Sequence, residues 1–113
     1  MKIVKKKEAK EFKNNEICTA FEYDLKDNEI NAAVIKLKGR YPVGGTVMNE
    51  KCKEIVYILK GSGKLVVEGV EVELSEGDQA LILPGEKYFF DGNMIFLAPC
   101  TPAWYPEQHK KVE

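Results

Sequence analysis

The chain reads as a succession of strand-length apolar runs, each closed by Gly, Pro or an Asn/Asp pair. Such runs cover residues 17–23, 30–38, 54–59, 80–83, 87–90 and 94–98. Their apolar positions repeat every second residue, so a pleated surface buries them and a helix does not. Run 30–38 carries Ile30, Ala32 and Val34 on one parity and Ala33, Ile35 and Leu37 on the other. Apolar on both faces, it is predicted as a central strand between a core and a second covered surface. Run 54–59 is similar, with Ile55, Tyr57 and Leu59 opposite Val56 and Ile58. Residues 65–67 and 70–72 flank Glu68-Gly69, a two-residue connection suited to a type I′ hairpin because Gly adopts positive φ at little cost. Helix signals are confined to the ends: residues 7–12, and a Pro106-led stretch to Lys110. The expectation is an all-β sandwich or barrel of eight or more short strands, with short helical turns at the termini.

With 113 residues the chain is one domain's worth. A formal net charge of −1 excludes a broad basic footprint for nucleic acid. No apolar run approaches the ~20 residues of a membrane span. Lys2, Lys5, Lys6 and Lys7 are followed by no apolar stretch, so they do not form a secretory signal, and three adjacent lysines read as a solvated face. Cys18, Cys52 and Cys100 are odd in number and widely spaced, which fits free thiols in a reduced, cytoplasmic protein. The one histidine, His109, stands near the C-terminus. Any Ser-His-Asp or Cys-His pair would have to use it.

From Glu54 onward two spacings resemble the cupin family of small jelly-roll barrels. Glu54 is separated by six residues from Gly61, the second half of the family pattern G-x5-H-x-H-x(3,4)-E-x6-G. Gly77 is followed by five residues, then Leu83, Pro84, Gly85, two residues and Tyr88, against the family pattern G-x5-P-x-G-x2-H-x3-N, with Tyr88 at its His. The resemblance spans about residues 40–99 and implies a cupin-type double-stranded β-helix. The whole chain, 1–113, would be a single domain: a core of about 30–100, an N-terminal strand or turn over 1–16, and a tail over 101–113 packed on the barrel or a partner. Gly61-Ser62-Gly63 is predicted to turn one strand into the next, and Pro84-Gly85 to form a tight corner.

Metal-binding cupins hold Fe, Mn, Ni or Zn with three His and one Glu. Here the H-x-H pair falls on Val47 and Asn49, or on Met48 and Glu50 one register away, and the third His is Tyr88. Only Glu54 remains. A carboxylate with an amide and a neutral phenol is a poor transition-metal set, so no metal cofactor is expected. The resemblance instead places Asn49, Glu54 and Tyr88 around one cavity, where they suit sugar hydroxyls or another small polar metabolite. Tyr41 and Trp104 are candidates for stacking a ligand. The bland alternative is a filled barrel in which Glu54 pairs with Arg40 or a Lys and the three polar groups bond one another.

Two further alternatives stay open. The tail could deliver His109 to Glu54 and, with Cys52 or Cys100, build an unorthodox metal site; equally, Trp104 and Tyr105 could staple the tail and leave His109 near solvent. Or the barrel could be a metal-independent epimerase or isomerase, with Glu54 as base and Tyr88 as acid. The resemblance also implies a two-fold homodimer, and strands apolar on both parities supply a face for it.

Overall fold

A computed structural model describes residues 1–112. Nine strands follow one another: β1 (Lys10–Lys13), β2 (Cys18–Glu22), β3 (Asn31–Tyr41), β4 (Thr46–Asn49), β5 (Lys53–Val67), β6 (Val70–Ser75), β7 (Gln79–Ile82), β8 (Tyr88–Thr101) and β9 (His109–Val112). All pairings are antiparallel. The fourteen-residue β8 is the spine: β3 pairs along one edge and β5 along the other, while β4 meets its start at Val47–Tyr88. The sheet curls into a half-barrel whose concave face is the core.

Period-two burial makes this geometry legible. On β8 the side chains of Tyr88, Phe90, Met94, Phe96, Ala98 and Cys100 are buried, alternating with less buried neighbours. Phe90 stacks on Phe96 with centroids 4.8 Å apart, and Tyr88 meets Phe90 edge-on at 5.6 Å. On β5, Glu54, Val56 and Ile58 face inward, but further along the buried residue is Leu65, of opposite parity. A bulge between Ile58 and Lys60 explains the switch, since one extra residue exchanges the two faces. The second apolar parity of β5 lies outside, where Tyr57 and Leu59 are exposed, as are Leu81 and Leu83 on and beside β7.

The hairpin at Glu68-Gly69 has the expected geometry, with φ of 49° and 80° at the two turn residues. Three local expectations are corrected. Gly61-Ser62-Gly63 is no turn: β5 runs through it, because Gly61 and Gly63 lie against the backbone of Asn93, Gly92 and Asp91 on β8. Runs 87–90 and 94–98 are likewise one strand, continuous through Asp91-Gly92-Asn93. At the ends, the helical stretch 7–12 is a single 3-10 turn (Lys6–Glu8) followed by β1, and the stretch from Pro106 is a 3-10 turn (Pro106–Gln108) followed by β9. Hydrogen bonding to neighbouring strands, worth more than weak local propensity, sets both. No helix among the described residues is long and apolar enough to cross a membrane.

Candidate ligand-binding site

The concave face encloses a cavity of about 460 Å³. Apolar groups from three strands make most of its wall: Ala20 of β2, Ile35 and Leu37 of β3, and Phe90, Phe96 and Ala98 of β8. Glu54, Tyr88, Tyr41 and His109 bring polar groups to it. Exposed residues Phe12, Asn14, Asp24 and Tyr105 also line it and mark the side open to solvent.

Register explains why the polar groups meet. Glu54 on β5 lies opposite Cys100 on β8, and cross-strand partners share a face. Accordingly the Cys100 thiol donates to Glu54 Oε1 at 3.6 Å. Asn49 on β4 lies opposite His109 on β9, and the Asn49 carbonyl oxygen accepts from the Gly85 backbone N–H at 2.7 Å. The Pro84-Gly85 corner therefore pins the residue that supports Glu54: Asn49 Nδ2 donates to Glu54 Oε1 at 3.2 Å. Tyr41 comes in from the end of β3, paired with Phe90.

Behind these groups runs a chain of hydrogen bonds whose direction is fixed by backbone. The N–H groups of Lys51 and Cys52 both donate to Gln108 Oε1, at 3.2 Å each. Gln108 Nε2 must then donate, and it does so to Asn49 Oδ1 at 3.0 Å. An oxygen in that place can only accept, so His109 Nδ1, 2.9 Å from it, carries the proton. His109 Nε2 is left with its lone pair, which accepts from the Tyr41 hydroxyl at 3.3 Å.

The electrostatics follow from burial. Glu54 is 8% exposed, and desolvation pushes its carboxyl up to about 7 against the opposing donors Asn49 and Cys100. Burial raises the Tyr41 hydroxyl to about 12 and lifts Tyr88 well above the usual phenol range, so both keep their protons at neutral pH. Burial also lowers His109, favouring its neutral imidazole. The Cys100 thiol is pushed far up by desolvation and by Glu54, and stays protonated.

The residues singled out in the sequence separate into three groups. Glu54, Tyr88, Tyr41 and Trp104 all line the cavity; Trp104 is held by its backbone N–H donating to Asn31 Oδ1 at 3.0 Å. Asn49 is fully buried but does not line the cavity, a correction to the expectation that it faces a ligand: it stands one layer behind, joining Glu54 to His109. Cys52 is also elsewhere, its thiol donating to the Pro102 carbonyl at 3.3 Å. His109 is not near solvent, because β9 carries it to the cavity wall. Arg40 does not pair with Glu54; it donates to the carbonyls of Pro42 and Gly45 and lies over the Phe89 ring at 3.8 Å. Gln108, Glu22 and Asp24 belong to the site or its support without any motif that marks them.

The donors fit a transition metal poorly. Among the described residues no three His, Cys, Asp or Glu side chains converge on one point. Both nitrogens of His109 are already engaged, and Cys52 points to a backbone carbonyl. What the arrangement offers instead is hydrogen bonding and proton exchange: one carboxyl poised near neutrality and one phenol donor, Tyr88, in an apolar chamber.

No protein-family model and no curated protein matches the sequence. Solved structures do. Streptomyces Pac13, a nucleoside dehydratase solved with uridine, superposes with a TM-score of 0.87 over 96% of this chain and 88% of its own, at 16% identity. The polyketide cyclase RemF from Streptomyces resistomycificus gives 0.76 over 100% and 86%, at 18% identity. An RmlC-like cupin from Shewanella frigidimarina gives 0.74 over 88% and 89%, at 18% identity. The curled antiparallel sheet and these superpositions together establish that the chain has the cupin fold.

Proposed function

We propose that this protein binds a small polar molecule, of nucleoside or sugar size, inside the half-barrel. One observation carries the reading: an apolar chamber of about 460 Å³ into which Glu54, Tyr88 and the Tyr41–His109 pair bring the few polar groups. Chambers of roughly 300–1,000 Å³ with a few convergent polar groups are the usual form of small-molecule sites. Glu54 Oε1 is occupied by Asn49 and Cys100, while Oε2 bonds no described residue. Since no buried side-chain oxygen among the described residues lacks a partner, Oε2 is open to the chamber and free to accept from a ligand hydroxyl. That Pac13 was solved with uridine makes nucleosides the first probes.

The test uses Trp104, the one tryptophan of the chain and part of the chamber wall. Saturable change of its fluorescence by uridine or by a free sugar such as ribose, lost in Glu54→Gln, supports the reading. No response across a broad panel of nucleosides and sugars overturns it.

A second reading is acid–base catalysis on the bound molecule, favoured by the raised pKa of Glu54. A carboxyl titrating near neutrality is matched to accept a proton at physiological pH, and a protonated phenol such as Tyr88 is matched to donate one. Exchange of solvent deuterium into a carbon position of the ligand, abolished by Glu54→Gln and by Tyr88→Phe, would establish it; binding without exchange would leave the protein a binding module.

A further inference from the structure

We infer that the chamber selects against negative charge, so that its ligand is uncharged or cationic, with Glu22 and Asp24 at the open side as specificity-determining residues. The inference rests on the ligand-binding reading above and adds the charge class of the ligand.

Every formally charged side chain on the chamber wall is a carboxylate: Glu22, Asp24 and Glu54. No Lys or Arg lines it. The one basic group there, His109, is an imidazole that burial keeps neutral. The two carboxylates toward the open side are uncompensated among the described residues, whose ion pairs are Lys2–Asp27 and Lys64–Glu71. Asp24 Oδ1 accepts only from the Lys26 backbone N–H, at 3.0 Å, which leaves its charge standing.

Lys10 on β1 stands opposite Glu22, but it makes no ion pair with it and does not line the chamber. Lys36, Lys38 and Lys60 line a shallow depression on the convex face, together with Ser62 and Asn93. On β3 and β5 these cations lie outside, while the only formally charged groups of the chamber wall are carboxylates. Strand alternation causes this on β3, since Lys36 and Lys38 are exposed on either side of buried Leu37.

A phosphorylated ligand would have no favourable orientation. With its phosphate inward it is desolvated beside Glu54 in an apolar setting that holds no cation to offset its charge. With its phosphate outward it meets Glu22 and Asp24. Anion sites are built from guanidinium, ammonium or clustered backbone N–H groups, and the wall supplies none of the side chains. An uncharged ligand meets no such penalty and finds the open Oε2 of Glu54 and the Tyr88 phenol. A cationic one gains at the open side from two carboxylates beside Tyr23, Trp104 and Tyr105.

The experiment titrates the intact protein by Trp104 fluorescence with two matched pairs at constant ionic strength: uridine against uridine 5′-monophosphate, and ribose against ribose 5-phosphate. The cationic 5′-amino-5′-deoxyuridine completes the set. Each uncharged member is expected to bind at least about ten-fold more tightly than its phosphate, with the amine at least as tight as uridine. The gap should narrow several-fold with Glu22→Gln plus Asp24→Asn, and also on raising salt in the native protein, a readout that needs no variant. Phosphates binding as tightly as their parents overturn the inference while binding itself stands. An unchanged gap in the double variant, shown folded by its thermal transition, overturns the roles of Glu22 and Asp24. No response from any compound of the set overturns the binding reading and the inference with it.

Discussion

His109 Nδ1 lies 2.9 Å from Oδ1 of Asn49, and the direction of that hydrogen bond is dictated by two backbone N–H groups that touch neither residue. Lys51 and Cys52 orient Gln108, Gln108 orients Asn49, and Asn49 fixes which imidazole nitrogen is protonated. The outcome at neutral pH is a neutral ring with hydrogen on Nδ1 and an acceptor at Nε2. As the chain has a single histidine, long-range proton–nitrogen NMR reports this without assignment. We expect one pyrrole-type nitrogen and one pyridine-type nitrogen. The rarer tautomer should not be diluted by exchange as it is in free histidine. In Gln108→Leu the preference should weaken; a ring that keeps the same tautomer there would show that Gln108 does not set it.

Glu54 supplies a stability signature in pH. Its carboxyl ionises at about 7 when folded and near 4.5 in the unfolded chain, so between these values the folded state holds more proton. Stability therefore falls as pH rises from about 4.5 to 7 and stays lower above, by up to about 3 kcal/mol if the whole shift is expressed. Glu54→Gln keeps the acceptor that Asn49 and Cys100 bond and removes the titration. The variant should be more stable than the native protein at pH 8 and close to it at pH 4.5, measured by urea unfolding. His109 acts oppositely, because burial lowers its pKa: acidification through the unfolded value of about 6.5 costs stability. The difference between native protein and Glu54→Gln isolates the carboxyl from that term. Equal stabilities at pH 8 would mean that Glu54 is solvated.

Tyr88→Phe tests the other polar end of the chamber. Removing a hydroxyl that lines the chamber leaves the ring packing against Phe90 intact, so the thermal transition should move little. Affinity for uridine, or for whichever sugar the fluorescence assay detects, should drop about 5- to 30-fold, the loss of one hydrogen bond of roughly 1–2 kcal/mol. Unchanged affinity would remove Tyr88 from the site.

Gln108→Leu also has a stability outcome. The residue is 1% exposed, and the substitution strands two backbone N–H groups and half of the Asn49 carbonyl. Unpaired buried donors cost roughly 1–3 kcal/mol each, so a loss of about 2–4 kcal/mol is expected in urea unfolding. Gln108→Glu keeps the acceptor for the two N–H groups but loses the donor to Asn49, and should fall between. A Leu variant as stable as the native chain would mean that water replaces the amide.

Much of the strand layout was legible because alternation is a local property. Cys18, Leu37, Val56 and Phe96 fall on the buried parity that their neighbours imply. The same locality limited the rest. A glycine that bends a chain and a glycine that lets two backbones touch look alike in sequence, so Gly61 and Gly63 read as a turn when their meaning lies on β8. The site was partly legible: spacing led to Glu54 and Tyr88, and aromatic type to Tyr41 and Trp104. Asn49 was placed one layer too far forward, and Cys52 belongs to another contact, because neither depth nor direction is written in spacing. His109 owes its position to β9, a strand that exists by pairing with β4 and shows no strong pattern of its own. Gln108 carries no sequence signal at all; only the geometry of the turn before β9 reveals it.

The glycines give the most discriminating test of the fold. Gly61 and Gly69 both have positive φ, 83° and 80°, so alanine at either pays a similar backbone cost of about 1 kcal/mol. Their surroundings differ. A methyl group at Gly69 meets nothing within 4 Å, whereas at Gly61 it would collide with the carbonyl oxygen of Asn93 and crowd the Cα of Met94. Those atoms belong to the β5–β8 pairing that joins the two longest strands, and backbone cannot rotate aside as a side chain can. Gly61→Ala should therefore cost several times more than Gly69→Ala: about 3 kcal/mol or more, against about 1. Paired urea unfolding curves decide it. Equal losses would mean that β5 and β8 do not approach as closely as the half-barrel requires, and that the turn expected from Gly61-Ser62-Gly63 describes the chain better than the continuous strand does.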